Sequence, residues 1–270
     1  MHAAAFRALG LPHTYEAIRA TASDLGPLVD ALRRGGFDGF NVTIPHKQRV
    51  LSLADTVDAS AAGAGTANTL VREEGGRIVA HNTDVRALAS ELLRLAPEAA
   101  RRGGSGTVGV VLGTGGAARS AIAALTSELG LSKVVVRGRS LATEAGRKAF
   151  LASLGAALSP GVSCAPLAPV PDIEAGAAFV VQATSAGMEG AAPGESVADA
   201  IAWTALPAHA VALDVIYAPP VTPFLERATA RGLRCANGLG MLAAQGARAL
   251  ELWLGVPAPY AAMLAAISPP

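Results

Sequence analysis

Hydrophobic and polar positions follow two alternating patterns along the chain. Short apolar runs with strand character alternate with segments of helical periodicity, which is typical of an α/β protein. In the second half the apolar runs are continuous, as in strands that are buried on both faces of a parallel sheet. These runs are residues 107–112, 134–136, 179–181 and 211–215. The pattern therefore predicts an α/β fold with a parallel sheet in this half.

In the first part of the chain, the segments with strand or helix character are shorter. Residues 13–20 and 37–44 predict strands, and residues 24–34 predict a helix that is capped by Ser23 or Asp24. A hairpin is predicted with its turn at Gly75-Gly76. Its two strands span residues 66–72 and 77–80. The other segments with helical periodicity are 84–95, 117–129, 141–154, 240–254 and 260–267. Residues 158–171 predict a loop around one short strand.

The composition of the chain limits the classes of protein to which it can belong. The chain has 270 residues, is 51% hydrophobic and carries 22 basic and 21 acidic side chains, so it is not intrinsically disordered. The charge balance disfavours nucleic acid and anionic membranes as partners and favours a small molecule. No signal peptide or membrane span is recognisable, so a cytoplasmic location is expected. Cys164 and Cys235 predict free thiols, without a metal site. The glycine-rich stretch 101–106 predicts a linker.

A glycine-rich turn follows the apolar run 107–112 directly. Its sequence is Gly113-Thr114-Gly115-Gly116-Ala117-Ala118, and a helical segment begins there. This is the strand, turn and helix context of a dinucleotide fingerprint, in which backbone amides at the helix start face a pyrophosphate. An ordinary turn between a strand and a helix is the alternative.

The end of the next predicted strand indicates which dinucleotide is bound. The strand is followed by Arg137-Gly138-Arg139-Ser140, whereas a protein that binds NAD has an acidic residue at this place. An arginine there suits the 2′-phosphate of NADP. The alternative is that both arginines are merely solvated.

Two polar clusters in the first part are candidates for chemistry. They are residues 41–47, which end in Lys47, and residues 81–84, which end in Asp84. Each follows a predicted strand, which is where sites in α/β proteins lie. A lysine and an aspartate brought together there form a proton-transfer pair. The alternative is that Asp84 caps a helix and Lys47 is a surface residue.

Taken together, the clusters resemble the shikimate dehydrogenase family. The matching motifs occur in the family's order and cover nearly the whole chain. They are Asn41-Val-Thr-x-Pro-x-Lys47, Ala67-Asn68-Thr69, Asn82-Thr83-Asp84, Gly113-x-Gly-Gly-Ala-Ala118, Ala183-Thr-Ser-Ala-Gly-Met188, Asp214-Val-Ile-Tyr217 and Asn237-Gly-Leu-Gly-Met-Leu-x-x-Gln245-Gly. The resemblance implies two domains. Residues 1–84, completed by 240–270, would form an α/β substrate domain with a mixed sheet, and residues 85–239 a Rossmann-type NADP-binding domain with a parallel sheet.

The resemblance also implies a reaction, the reversible reduction of C3 of 3-dehydroshikimate to shikimate by NADPH in the chorismate pathway of aromatic amino-acid biosynthesis. Lys47 and Asp84 would be the catalytic pair. The implied substrate contacts are Thr43, Asn68, Asp84, Tyr217 and Gln245. The implied cofactor contacts are Gly113, Thr114, Gly115, Gly116, Ala117, Arg139, Ser140, Thr184, Val215, Gly238 and Met241. A homodimer is a possible assembly.

Several positions depart from the family pattern. Gly138 and Gln182 stand where the family has asparagine, and Val85 stands where glycine is frequent. The chain opens inside the helix that follows the family's first strand and its Ser-x-Ser segment, so we expect this sequence to lack that strand and its serines. Two alternatives stay open: a relative that acts on quinate, and a non-catalytic module that binds NADPH. Retention of Lys47 and Asp84 speaks against the second.

Overall fold

Two sheets organise the described residues of the computed structural model, which are 1–98, 107–155 and 158–268. The strands are β1 (Gly39–Asn41), β2 (Thr56–Val57), β3 (Thr69–Arg72), β4 (Ile78–His81), β5 (Val108–Leu112), β6 (Lys133–Arg137), β7 (Val162–Ala165), β8 (Ala177–Gln182), β9 (Val211–Asp214) and β10 (Arg234–Ala236). The helices are α1 (His2–Leu9), α2 (Leu25–Arg33), α3 (Ala59–Ala64), α4 (Asp84–Leu95), α5 (Gly116–Ala123), α6 (Glu144–Ser153), α7 (Pro171–Glu174), α8 (Glu195–Ala198), α9 (Pro223–Ala230), α10 (Leu239–Leu254) and α11 (Tyr260–Ala265).

The chain divides into two compact units. Met1–Ala87 and Leu239–Pro270 form the four-stranded unit, and Leu88–Gly238 forms the six-stranded unit. The sequence placed the limits of its domains at 84/85 and 239/240. The assignment of one domain to substrate and the other to cofactor stays a prediction. The predicted linker 101–106 lies outside the described residues.

The four-stranded unit has a mixed sheet, as predicted. Its strand order is β1-β3-β4-β2, in which β3 is antiparallel to β1 and β4, and β2 is parallel to β4. The predicted hairpin is β3–β4, which turns through Glu74–Gly76. Gly75 and Gly76 both have positive φ there, the left-handed region that favours glycine.

Helix α2 covers this sheet with an apolar stripe. Leu25, Val29 and Leu32 are buried at the spacing of successive helical turns, and they share a core with Leu70 and Ile78 of the sheet. Asp24 precedes the helix but does not cap it with its side chain, because its carboxylate accepts hydrogen bonds from Thr21 instead.

Two strand predictions in this unit need correction. Residues 13–20 form no regular element, and the predicted strand 37–44 shortens to Gly39–Asn41. A strand forms only where a neighbouring backbone supplies hydrogen-bond partners, and none of the four strands of this described sheet pairs with residues 13–20. The sequence also missed the short elements β2 and α3. Asp58 caps α3 by accepting a hydrogen bond from the amide of Ser60.

The six-stranded unit has the predicted parallel sheet. Its order is β10-β9-β8-β5-β6-β7, and every strand pair is parallel. Strands β5 and β9 are buried at every position, which explains their continuous apolar runs. Helix α9 packs Phe224 into the core that holds Val110 and Val180. The sequence did not predict β10 or the helices α7, α8 and α9.

Two helices of the six-stranded unit begin near their predicted positions. Helix α5 starts at Gly116 and continues into a π-helical turn over Ala124–Glu128. Helix α6 starts at Glu144 because Thr143 caps it, and residues 139–141 form a separate 3₁₀ turn. Both cysteines are free thiols. No helix among the described residues combines the length and apolar character that crossing a membrane requires.

Candidate active site

Lys47 and Asp84 meet directly in the four-stranded unit. Nζ of Lys47 lies 2.6 Å from Oδ2 of Asp84, and the two side chains are 15% and 5% exposed. Lys47 lies in the loop that follows β1, and Asp84 is the first residue of α4, separated by two residues from the end of β4. A short, charge-assisted hydrogen bond with little access to solvent is a strong one. The structure thus brings the predicted proton-transfer pair together.

Asn82 takes the capping role that the sequence left open for Asp84. Its Oδ1 accepts a hydrogen bond from the amide of Val85 at 3.2 Å, in the first turn of α4. Its Nδ2 donates to the carbonyl oxygen of Thr66 at 2.9 Å, which fixes the buried amide. Because Asn82 caps the helix, the carboxylate of Asp84 is directed to other donors.

Asn68 is the second donor to Asp84. Its Nδ2 lies 2.9 Å from Oδ1 of Asp84 and 3.4 Å from Oε1 of Gln245. Its Oδ1 accepts a hydrogen bond from the amide of Thr83 at 2.8 Å, so both ends of this buried amide are held. The structure therefore joins three predicted residues, Asn68, Asp84 and Gln245, in one network, and both carboxylate oxygens of Asp84 have donors.

Asn41 extends this network towards a cavity of about 780 Å³ in the same unit. Its Nδ2 donates to Oγ1 of Thr69 at 3.3 Å, and its Oδ1 accepts a hydrogen bond from the hydroxyl of Tyr15 at 3.0 Å. Asn41, Tyr15 and the predicted residue Thr43 line the cavity. Thr43 is exposed. Neither Asn41 nor Tyr15 was predicted as a site residue, although the motif that ends in Lys47 begins with Asn41.

The glycine turn in the six-stranded unit has the geometry of an anion site. Gly113 has φ 119°, and a Cβ there would lie 2.8 Å from the carbonyl oxygen of Ala183, so only glycine fits. Gly115 precedes α5, and nothing lies within 4 Å of the position of a Cβ. Gly116 and Ala117 are the first residues of α5, whose initial amides have no partner within the helix. The turn therefore leaves an open approach to donors at a helix start.

The arginines after β6 have different roles. Arg137 is fully buried and forms an ion pair with Glu174 of α7, with Nη1 2.6 Å from Oε1. It also donates to the carbonyl oxygens of Ala168 and Ala200, so it is not one of two solvated arginines at a strand end. Arg139 is exposed. Among the described residues, no carboxylate is paired with it.

Arg139 and Ser140 lie in the 3₁₀ turn beside the glycine turn. Oγ of Ser140 is 3.4 Å from Oγ1 of Thr114. Gly138, which stands where the family has asparagine, keeps this approach open, because a Cβ there would lie 3.1 Å from Cγ2 of Thr114. Thr114, Arg139 and Ser140 are therefore neighbours, as the predicted cofactor contacts require.

Gln182 organises the next part of the sheet edge, after β8. Its Oε1 accepts a hydrogen bond from the amide of Thr184 at 2.5 Å, and its Nε2 donates to the carbonyl oxygen of Ala186 at 3.1 Å. Its backbone carbonyl accepts a hydrogen bond from the amide of Val215 at 3.0 Å. The glutamine thus holds the turn that carries Thr184, a role that the sequence had not assigned to it.

Val215 and Gly238 complete this edge. A Cβ at Gly238 would overlap the carbonyl oxygen of Val215, and the amide of Gly238 donates to the carbonyl oxygen of Ile216 at 2.9 Å. Three predicted cofactor residues follow the carboxyl ends of strands: Gly113 follows β5, Thr184 follows β8 and Val215 follows β9. The fourth, Gly238, packs against Val215. Ligands of parallel sheets bind at this edge.

Two predicted residues take no part in these clusters. Tyr217 lies in the loop after β9 and is 46% exposed. Met241 is buried near the start of α10 in the four-stranded unit. In the described parts of the chain, no hydrogen bond joins either of them to the networks above. No group of three or more His, Cys, Asp or Glu side chains among those residues could hold a metal ion.

Comparisons with known proteins find related sequences over nearly the whole chain. Residues 1–70 match the family described as the shikimate dehydrogenase substrate binding domain, and residues 238–267 match the shikimate 5′-dehydrogenase C-terminal domain. A shikimate dehydrogenase (NADP(+)) of Citrifermentans bemidjiense is 40% identical over 276 residues, which cover 99% of this chain and 89% of that protein.

Solved structures are similar as well. The crystal structure of shikimate 5-dehydrogenase from Thermus thermophilus in complex with NADP(H) and shikimate is 31% identical, with a TM-score of 0.77 over 98% of this chain and 91% of that one. Quinate dehydrogenase from Corynebacterium glutamicum in complex with NAD is 29% identical, with a TM-score of 0.82 over 98% and 91% of the two chains.

Proposed function

Because this chain belongs to the shikimate dehydrogenase family, we propose that it interconverts 3-dehydroshikimate and shikimate with NADP as its cofactor. The chain is an NADP-dependent oxidoreductase that acts on a CH–OH group. The contact of 2.6 Å between Lys47 Nζ and Asp84 Oδ2 is the observation that carries this assignment, because the reaction needs a group that exchanges a proton with the substrate oxygen.

The residues of the six-stranded unit fit a dinucleotide phosphate. The open face of Gly115 and the amides at the start of α5 would hold the pyrophosphate. Arg139, with Ser140 and Thr114 beside it, would bind the 2′-phosphate. Thr184, Val215 and Gly238 would line the rest of the cofactor site within this unit. The bound cofactor would supply the hydride-transfer chemistry at the substrate carbon.

Lys47 moves the proton in this proposal. As an ammonium group it donates a proton from Nζ to the carbonyl oxygen during reduction, and as an amine it takes the hydroxyl proton during oxidation. Asp84 holds Lys47 by one carboxylate oxygen, while Asn68 holds the other oxygen at 2.9 Å. Asp84 thus orients the lysine and offsets its charge, and Asn68 fixes the carboxylate in turn.

The substrate contacts follow from the same network. Asn68 and Gln245 lie next to Asp84 and would orient the substrate's polar groups. Thr43 is an exposed residue that lines the cavity, which Asn41 connects to the network. We assign Tyr217 to the substrate on the resemblance alone. The cytoplasmic location and the homodimer that the sequence suggested stay predictions.

The test compares two substitutions of Lys47 in an assay of shikimate oxidation that follows NADPH absorbance. Lys47→Met removes the proton donor. Lys47→Arg keeps a cation for Asp84 but cannot release a proton at neutral pH. Both should lower kcat by about two to four orders of magnitude. The matched control is Lys148→Met, which removes a charge from the exposed face of α6 and breaks only the contact of 2.7 Å with Glu144.

A correctly folded Lys47→Arg variant with kcat within a few-fold of the parent protein would exclude Lys47 as the proton donor. If the parent protein turned over neither shikimate nor quinate while binding NADPH, the non-catalytic alternative would hold instead.

Quinate oxidation is the second candidate, because the similar quinate dehydrogenase was crystallised with NAD. Arg139 favours NADP in this chain and so speaks against the form that uses NAD. Measuring kcat/KM for shikimate and quinate with each cofactor separates the two. The proposal expects the highest value for shikimate with NADP.

A further inference from the structure

The first turn of α6 contacts the 3₁₀ turn Arg139–Leu141 and forms hydrogen bonds with its backbone. Arg147 of α6 donates from Nη1 to the carbonyl oxygen of Leu141 at 3.0 Å and to that of Ala142 at 3.2 Å. These carbonyls end the turn that carries Arg139 and Ser140. Leu141 is a buried residue, and a buried carbonyl without a donor is costly. The guanidinium group therefore stabilises this shape of the turn.

Gly146 provides a second contact with the same turn. A Cβ at this position would overlap the carbonyl oxygen of Ser140, so α6 can approach the turn this closely only with glycine there. The amide of Gly146 donates to Oγ1 of Thr143 at 3.1 Å, which fixes the start of the helix. Two consecutive residues of α6 therefore contact three consecutive carbonyls of the segment 140–142.

The positive charge of Arg147 has an unfavourable interaction with the helix dipole of α6. It lies in the first turn of α6, and a cation is disfavoured at that end of a helix. The arginine gains its partners from the carbonyl oxygens of the preceding turn instead. Its guanidinium group faces the backbone of the turn, whereas the exposed Arg139 side chain belongs to the turn itself. Arg147 thus binds the backbone of the turn, whereas the side chain of Arg139 extends from the turn into solvent.

We propose that Arg147 is a positioning residue that selects NADP over NAD by fixing the turn that presents Arg139 and Ser140 to the 2′-phosphate. The proposal rests on the proposed function, in which Arg139 binds that phosphate. Recognition by a charge-assisted hydrogen bond depends on the direction of the donor. A turn that moves relative to the glycine turn would weaken the contact with the 2′-phosphate while leaving the contacts with the rest of the cofactor in place.

The test uses two competitive inhibitors that differ by the 2′-phosphate, 2′,5′-ADP and 5′-AMP, with the full chain. Arg147→Met keeps the length of the side chain and removes its donors. It should raise the inhibition constant of 2′,5′-ADP by about five- to thirtyfold, as expected for one or two lost hydrogen bonds, and change that of 5′-AMP less than about twofold. Arg147→Lys, a single point donor, should fall between the two.

A second variant and a control accompany it. Gly146→Ala leaves Arg147 intact but displaces the carbonyl of Ser140, and it should give the same selective loss. Lys148→Met, on the exposed face of the same helix, should change neither constant. Circular dichroism melting and the kcat of each variant with saturating NADP establish that the chain is folded.

The double variant Arg139→Ala with Arg147→Met separates positioning from direct contact. If Arg147 acts through the turn, the double variant should weaken 2′,5′-ADP by clearly less than the product of the two single effects, because Ser140 is the only contact of the turn left to lose. Multiplied effects in the double variant would mean that Arg147 contacts the phosphate itself and would overturn the proposal. Equal weakening of both inhibitors by Arg147→Met would show a merely structural role and would also overturn it.

The role of Arg139 is tested in the same series. If Arg139→Ala left the inhibition constant of 2′,5′-ADP unchanged, the cofactor assignment under the proposed function would fail, and the positioning role with it. If Arg139→Ala weakened 2′,5′-ADP but Arg147→Met did not, only the positioning role would fail.

Discussion

Replacing Asp214 with asparagine is expected to remove a pH-dependent loss of stability from the six-stranded unit. Asp214 ends β9 and is completely buried. Its Oδ2 accepts a hydrogen bond from the hydroxyl of Thr222 at 2.6 Å, and its Oδ1 accepts one from the amide of Ile216 at 2.9 Å. Burial raises the pKa of Asp214 from 3.8 to about 6, and the two hydrogen bonds offset only part of that effect.

The direction of the effect follows from proton linkage. Because the pKa is higher in the folded chain, the stability that Asp214 contributes is fully present below pH 3.8 and is lost as the pH rises through about 6. A difference of roughly two pKa units corresponds to about 3 kcal/mol in the free energy of unfolding. Asparagine does not titrate, so the Asp214→Asn variant lacks this loss.

The assay is urea unfolding of both proteins over this pH range, followed by tryptophan fluorescence. The chain has two tryptophans, and one lies in each unit. Trp203 packs edge-on against Phe224 in the six-stranded unit, at 5.2 Å between ring centroids. Carrying out the comparison in a Trp253→Phe background therefore makes the signal specific to the unit that contains Asp214.

The difference between the two unfolding free energies isolates Asp214, because all other titrating groups are shared. We expect the parent protein to lose about 3 kcal/mol relative to Asp214→Asn between pH 3.8 and about 6. Asp199→Asn, at the exposed ion pair with Arg227, should give a difference below about 1 kcal/mol. A difference for Asp214→Asn that does not change with pH would refute the raised pKa.

Two further predictions concern ion pairs. Asp84→Asn keeps the shape of the side chain but removes the negative charge beside Lys47, so it should lower kcat by about two to four orders of magnitude. A steady-state assay measures this effect, and an unchanged kcat would contradict the prediction. Glu174→Gln leaves the fully buried Arg137 without its charged partner and should cost about 3 to 5 kcal/mol in urea unfolding followed by Trp203. Replacing both residues with methionine should recover most of that loss, and a single substitution that cost less than about 1 kcal/mol would contradict the prediction.

Much of the fold could be predicted because local patterns of apolar and polar residues indicate its strands and helices. The buried parallel strands β5, β6, β8 and β9 read as continuous apolar runs, and α4 begins and ends at its predicted residues. The strand predicted at 13–20 failed because a strand depends on a partner that no local pattern shows. Short elements such as β2 were missed, since two residues carry no periodicity.

Site residues were predictable as motifs, but their partners were not. Arg137 and Arg139 look alike in the sequence, and only the fold shows that the first is paired with Glu174, which lies 37 positions away. Gln182 looked like a departure from the family pattern, yet its amide bridges Thr184 and Ala186. Such contacts join residues through the packing of the chain, so spacing along the sequence cannot reveal them.

The cluster around Asp84 follows from the register of one strand. Strand β3 is antiparallel to both β1 and β4, with Thr69 opposite Asn41 and also opposite His81. The start of β3 therefore lies beside the ends of its two neighbours. The backbone of Asn68 continues both pairings, because its carbonyl accepts a hydrogen bond from Val42 and its amide donates to His81.

This arrangement makes Asn68 the point at which three separate motifs meet. Its side chain reaches Asp84 after β4, while the loop after β1 brings Lys47 to the other oxygen of the same carboxylate. A slip of one residue in β3 would turn Asn68 to the opposite face of the sheet. The geometry of the proton-transfer pair thus depends on strand register, which the apolar residue Leu70 fixes by being buried in the core of the unit.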